Sequence, residues 1–381
     1  MRTQITKTVL LVLLAILTLA QTRAEAVNAG PSVSAQAAVL MDMDSGRVIY
    51  GRNENEKLLI ASTTKIMTAL IALENCRLED KVSIKHEWTL AEGSSMYLKS
   101  GETYTVKELL YGLMLASGND AALALACHTA GTVEAFAELM NKKAAELKMT
   151  GSHFTNPHGL SQKGHYSTAA DMGLLAAAAM KNSCFAEIVS TKQAVIKGSS
   201  FTNHNKLLWL YEGAIGIKTG YTKDSGRALV SCARRGDTTL IFVTLNAPDD
   251  WDDHARLLDW GFENYKTIRA DGCNYQLEVI SGTAQTVGLK CSQSLSLFLE
   301  AGEDAIIEAC LPKFVYAPVR QGDKAGELRI ICGDKVLKSA DLVYETSVPL
   351  DESIPLTFWE RVKWSWFFAV RNGYYNSYPI Y

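Results

Sequence analysis

The sequence predicts an α+β protein: an antiparallel sheet with a helical part, followed by a small all-β domain and a C-terminal amphipathic helix. Three observations carry this. Strand-like alternation opens the first region and returns at its end, with apolar runs of helical spacing between. From about Cys273 to Val348 the pattern is strand-like throughout and punctuated by glycines. Beyond that, aromatic and basic residues crowd into a short tail. The corresponding divisions are a leader at residues 1–26, the α+β domain at 27–268, the all-β domain at 269–350 and the tail at 351–381.

Arg2 and Lys7 flank the start of an apolar run at residues 9–20, too short for a typical span, and Ala24-Glu25-Ala26 fits a small-x-small cleavage site. This reads as a signal peptide cut after Ala26; the alternative is an uncleaved anchor. The protein is then exported, to the outer face of the cytoplasmic membrane, the cell wall or the periplasm. A net charge of −3 with no basic run gives no reason to expect nucleic acid. Export permits disulfides, but the eight cysteines are sparse and no pairing can be read. Cys127 and Cys232 have the surroundings of small core residues.

Residues 37–51 alternate around Asp44-Ser45-Gly46, which predicts a hairpin. Ser62 stands at the start of a helical run at 64–73. Residues 106–116 form a helix candidate that stops at Ser117-Gly118-Asn119, and 120–129, 133–147 and 168–180 continue the helical part. Pro157-His158-Gly159 breaks the chain into a loop. Residues 228–233 and 238–245 read as a β-hairpin through Arg234-Arg235-Gly236-Asp237, and 256–262 as the end of a closing helix. In the second domain Tyr275-Gln276-Leu277-Glu278-Val279 alternates, as does Leu328-Arg329-Ile330-Ile331. In the tail, Phe358, Val362, Trp366 and Ala369 share a helical face, with Arg361, Lys363 and Arg371 nearby. That composition suits a membrane interface; the alternative is a helix packed on the β domain.

Three motifs stand in order: Ser62-Thr63-Thr64-Lys65, Ser117-Gly118-Asn119 and Lys218-Thr219-Gly220. Each is weak alone. Together they are the set of serine enzymes of penicillin-binding and β-lactamase type. On a helix, residues three apart share a face, so Lys65 can bring its amine to Ser62. A serine needs a base, and a lysine serves only if burial or a nearby cation lowers its pKa. Lys218 could supply that cation. The serine alternative is an ordinary N-cap with a surface lysine. Ser117 could relay a proton, and Asn119 offers a donor and an acceptor to a substrate peptide bond; turn chemistry is the plainer reading of both. Lys218 and Thr219 begin a probable edge strand and suit a terminal carboxylate, while Gly220 permits close backbone approach. The seven histidines make no metal-binding spacing, no cofactor is implied, and His158 reads as a loop histidine.

Nearly the whole chain resembles a low-molecular-mass penicillin-binding protein, a D-alanyl-D-alanine carboxypeptidase. The resemblance lies in Ala61-Ser62-Thr63-Thr64-Lys65, Ala116-Ser117-Gly118-Asn119-Asp120, Phe154-Thr155-Asn156-Pro157-His158-Gly159-Leu160, Asn205-Lys206-Leu207-Leu208, Gly216-Ile217-Lys218-Thr219-Gly220-Tyr221-Thr222 and Trp260-Gly261-Phe262. It implies a penicillin-binding/β-lactamase-like catalytic domain. Its substrate would be a peptidoglycan stem peptide ending in D-Ala-D-Ala, acylating Ser62 with Lys65 as base. Ser117 and Asn119 would support the base, Lys218 and Thr219 would hold the carboxylate, and the N–H groups of Ser62 and Tyr221 would form the oxyanion hole. β-Lactam antibiotics would acylate the same serine.

One stretch departs from the pattern. Many relatives carry a carboxylate-binding arginine before the closing helix; here the stretch reads Pro248-Asp249-Asp250-Trp251-Asp252-Asp253-His254, and Arg256 is the nearest candidate. The segment resembles the sporulation-linked carboxypeptidases of endospore formers. A β-lactamase would need fast deacylation, and no Glu-x-x-Leu-Asn follows the second motif. A non-catalytic wall-binding or sensing module would not need all three motifs.

Overall fold

The computed structural model describes residues 30–270, 275–351 and 353. The leader read at 1–26 and nearly all of the tail read at 351–381 lie outside the described residues. The chain divides between Lys266 and Thr267 into two units.

In the first unit the expected hairpin forms from β1 (Ala37–Asp42) and β2 (Val48–Arg52). The Asp42 carboxylate closes its turn by accepting from Ser45 N at 2.7 Å. Two short antiparallel pairs follow that the sequence reading had not marked: β3 (Lys81–Ser83) with β4 (Thr103–Thr105), and the hairpin of β5 (Gln193–Ile196) with β6 (Ser199–Thr202). Then come β7 (Ala214–Thr222), β8 (Gly226–Arg235) and β9 (Thr238–Leu245). The main sheet runs β2-β1-β9-β8-β7 with every neighbouring pair antiparallel, so β7, which carries Lys218-Thr219-Gly220, is an edge.

The helices are α1 (Lys65–Asn75), α2 (Val106–Leu115), α3 (Asn119–Ala130), α4 (Val133–Glu146), α5 (Ala169–Met180), α6 (Ser183–Ser190), α7 (Leu207–Leu210) and α8 (Asp250–Asn264). Every residue of α1 from Lys65 to Ala72 is buried, because α2 to α6 all pack around it. An apolar run without a polar face has to be such a central helix. Starts are fixed by caps: Thr105 and Glu108 form a capping box on α2, and Thr168 Oγ1 accepts from Asp171 N at 3.1 Å on α5.

Alternation along β1 separates the two faces of the sheet. Gly173 of α5 lies against Val39 and Met41, whereas Gly261 of α8 lies against Leu40. The helical part and α8 therefore cover opposite faces. Helix α8 starts at Asp250, so the acidic stretch before Arg256 is its first turn, with Asp250, Asp252 and Asp253 at the positive end of the helix dipole.

The second unit is all β. After β10 (Tyr265–Ala270) come β11 (Tyr275–Ile280), β12 (Thr286–Cys291), β13 (Leu295–Glu300), β14 (Ala305–Cys310), β15 (Phe314–Tyr316), β16 (Lys324–Cys332) and β17 (Lys335–Tyr344). Six of them form a sheet in the order β14-β16-β17-β12-β11-β15, antiparallel except for β11 with β15. Leu277 and Val279 are buried while Gln276 and Glu278 are exposed, and Leu328 and Ile330 are buried in the same core.

Candidate active site

Ser62 sits in a 3-10 turn, Ala61–Thr64, that leads into α1. The turn is fixed by Thr63, whose Oγ1 donates to Ile60 O at 2.6 Å. It places Ser62 just ahead of the helix, where residues three apart eclipse one another. Lys65 Nζ lies 2.9 Å from Ser62 Oγ, 2.6 Å from Asn119 Oδ1 and 2.8 Å from the His158 carbonyl oxygen. Lys65 is fully buried. Burial, then repulsion from Lys218, holds its pKa well below the ordinary lysine value, against a smaller opposing pull from Asp120. Two of its three partners can only accept. In its neutral form the amine can donate its two N–H groups to Asn119 and His158 and keep its lone pair for the Ser62 hydroxyl.

The second motif turns sharply between α2 and α3, with Ser117 at φ +58°. Gly118 has no room for a side chain: a Cβ there would stand 2.7 Å from Asp120 Oδ1 and 3.1 Å from Met96 N. The Ser117 hydroxyl lines the cleft beside Ser62, and no described residue binds it. It makes no hydrogen bond to Lys65. Asn119 is already engaged at both ends, Oδ1 accepting from Lys65 and Nδ2 donating to Glu92 O at 2.5 Å. Only one N–H and one lone pair remain for a substrate.

Three contributors were not placed in the site by sequence reasoning. Buried Asp120 accepts from Met96 N, Leu98 N, Ser95 Oγ and Ala121 N, at 2.6–3.0 Å, and so fixes the cleft wall at 95–98. Glu92 acts through its carbonyl. His158 was read as a loop residue, and it is its carbonyl that meets Lys65. Its ring Nδ1 accepts from Leu160 N at 3.2 Å, and burial holds its pKa down at about 4. That loop is set by Asn156 Oδ1, which accepts from Gly159 N at 2.7 Å, and by Thr68 Oγ1, which donates to Pro157 O at 2.6 Å.

Lys218 is also buried; its Nζ donates to Thr219 O at 3.0 Å, and burial lowers its pKa to about 7. Gly220 abuts the turn that carries Ser62: a Cβ there would be 3.1 Å from Ser62 N. Thr219, Gly220, exposed Tyr221 and Arg227 line, with Ser62 and Ser117, a cleft of about 890 Å³. Arg256 is absent from that lining. It is bound instead to Asp253 at 2.8 Å, three residues back along α8.

Residues 22–249 match the family model described as D-alanyl-D-alanine carboxypeptidase, well over half of the chain. The chain belongs to this family. It is a serine carboxypeptidase and a penicillin-binding protein, and residues 262–350 match the penicillin-binding protein 5 C-terminal domain. It is 32% identical over 355 residues to the D-alanyl-D-alanine carboxypeptidase DacF of Bacillus subtilis, covering 87% of this chain and 90% of that one. It is 34% identical over 354 residues to DacC of Escherichia coli, covering 85% and 87%. Penicillin binding protein 5 from Haemophilus influenzae superposes with a TM-score of 0.64 at 29% identity, covering 84% of this chain and 98% of that one.

Proposed function

We propose that the chain removes the terminal D-alanine from peptidoglycan stem peptides through an acyl-enzyme on Ser62. The observation that carries this reading is the 2.9 Å contact between Ser62 Oγ and a buried lysine amine whose other two partners can only accept. The neutral Lys65 amine takes the Ser62 proton as Oγ attacks the penultimate D-alanine carbonyl. The N–H groups of Ser62 and Tyr221 receive the oxyanion, at the point where Gly220 lets β7 approach the turn. As the C–N bond breaks, the proton passes through Ser117 to the leaving nitrogen. Water then cleaves the ester, returning Ser62 and releasing the shortened peptide. Lys218 and Thr219 bind the terminal carboxylate. A β-lactam opens on the same serine and stays there because the second step is slow.

The sequence adds three finer points to this proposal: export by the leader at 1–26, attachment to a membrane surface by the aromatic tail, and a role in spore cortex maturation. The last rests on the acidic stretch 248–254 alone.

The test is D-alanine release from diacyl-Lys-D-Ala-D-Ala by the mature protein and by Ser62→Ala. Release by the first and none by the second supports the reading. Equal release by both overturns it.

A further inference from the structure

Arg227 lies on β8 directly opposite Tyr221 of β7, and its strand neighbour Leu229 lies opposite Thr219. In an antiparallel pair, directly opposed residues point to the same face and positions two apart repeat that face. Arg227 is therefore the diagonal neighbour of Thr219, within reach of a long side chain. Both residues line the cleft that holds Ser62.

The guanidinium is held from behind. Arg227 Nε donates to Asp250 Oδ1 at 3.0 Å and Nη2 lies 2.8 Å from the same oxygen as an ion pair, and the Asp250 side chain is 3% exposed while that of Arg227 is 41% exposed. The centroid of the Trp251 ring lies 5.6 Å from Arg227 Cζ. Asp250 and Trp251 are the first residues of α8, so the helix start orients the arginine without covering it. Among the described residues, Arg227 Nη1 has no protein partner and Nη2 makes no hydrogen bond beyond its ion pair with Asp250. A planar fork with free donors, fixed by a buried carboxylate and facing a cleft, fits a second carboxylate.

We infer that Arg227, oriented by Asp250, binds the terminal carboxylate of the substrate beside Thr219, and so makes the enzyme prefer a free chain end to an internal or blocked one. This rests on the carboxypeptidase reading above. Lys218 loses its charge near pH 7, whereas an arginine stays charged, so Arg227 supplies a cation across the working range.

The test compares diacyl-Lys-D-Ala-D-Ala with its C-terminal amide, using wild type, Arg227→Gln, Arg227→Lys and the double variant Arg227→Gln/Asp250→Asn, which leaves no stranded carboxylate. Loss of a charge-assisted pair should raise KM for the free acid about 10- to 100-fold, with kcat changed less than about threefold. The amide should be cleaved about as well as by wild type, so the preference collapses in both Gln variants and is partly kept by Lys. An equal loss on acid and amide, or a preference unchanged in the double variant, overturns the inference. Mass analysis of penicillin-treated protein separates the two levels. If wild type neither forms a Ser62 adduct nor releases D-alanine, the carboxypeptidase reading fails. If it does both while the preference survives in the variants, only the role of Arg227 fails.

Discussion

Asn119 Oδ1 approaches Lys65 Nζ to 2.6 Å, closer than the Ser62 hydroxyl at 2.9 Å. The proposed general base is thus positioned by a neutral acceptor, which keeps an N–H directed away from Ser62 without favouring the charged ammonium as an anion would. Asn119→Asp puts a negative charge at that spot and raises the Lys65 pKa. More of the lysine is then protonated at neutral pH. The acid limb of the penicillin acylation profile should move to higher pH, with a rate at pH 7 about tenfold lower, recovering in alkali. An unmoved limb would contradict the assignment of Lys65 as base.

Lys218 gives a second pH effect of opposite sense. Its pKa of about 7 belongs to the free enzyme, and in the proposed mechanism it is the charged form that binds carboxylate. As pH rises through about 7 that charge is lost, so kcat/KM for the free-acid peptide should fall on the alkaline side, mostly through KM. Lys218→Met removes this limb. It also removes the repulsion that helps to depress Lys65, so the acid limb should shift upward. Steady-state kinetics across pH 5 to about 10 checks both shifts.

Two glycines near the nucleophile should respond differently to alanine. At Gly220 the added Cβ meets Ser62 N and Ile60 O at 3.1 Å, a tight fit that β7 relieves by a small shift away from the turn. Activity should fall about 10- to 100-fold, with stability lowered by about 1 kcal/mol or less. At Gly159, φ is +87° and the Cβ would stand 1.8 Å from Ala61 O. Gly159→Ala should destabilise by about 3 kcal/mol or more, seen as a lower urea midpoint.

Asp120→Ala removes four hydrogen bonds at once and strands the buried N–H groups of Met96 and Leu98. A loss of about 3–5 kcal/mol is expected in urea unfolding, together with weakened penicillin binding as the cleft wall loosens. A stability change below about 1 kcal/mol would show that the 95–98 wall is held otherwise.

What the sequence made legible was local. Ser62 and Lys65 are three residues apart, and any helical geometry brings them together. The first hairpin announced itself by alternation, β8 and β9 as β-rich runs joined by a turn, and the edge position of β7 agreed with its motif. What stayed hidden acts through backbone atoms or across the fold. His158 and Glu92 contribute carbonyl oxygens, which every residue has, so no residue type marks them. Asp120 sat inside a recognised motif, yet its four partners appear only once loop 95–98 folds over it. Arg227 and Asp250 are 23 residues apart, and only the start of α8 at Asp250 brings them together. The acidic stretch read as a departure from the pattern is a helix first turn, and Arg256 faces its own helix rather than the cleft.

The central claim is that Ser62 carries the acyl group. Treating the protein with a penicillin, digesting it and locating the adduct by mass spectrometry tests it directly. The account predicts one equivalent of adduct on the peptide containing Ser62, and none in Ser62→Ala. An adduct on any other residue, or full labelling of the folded alanine variant, would contradict it.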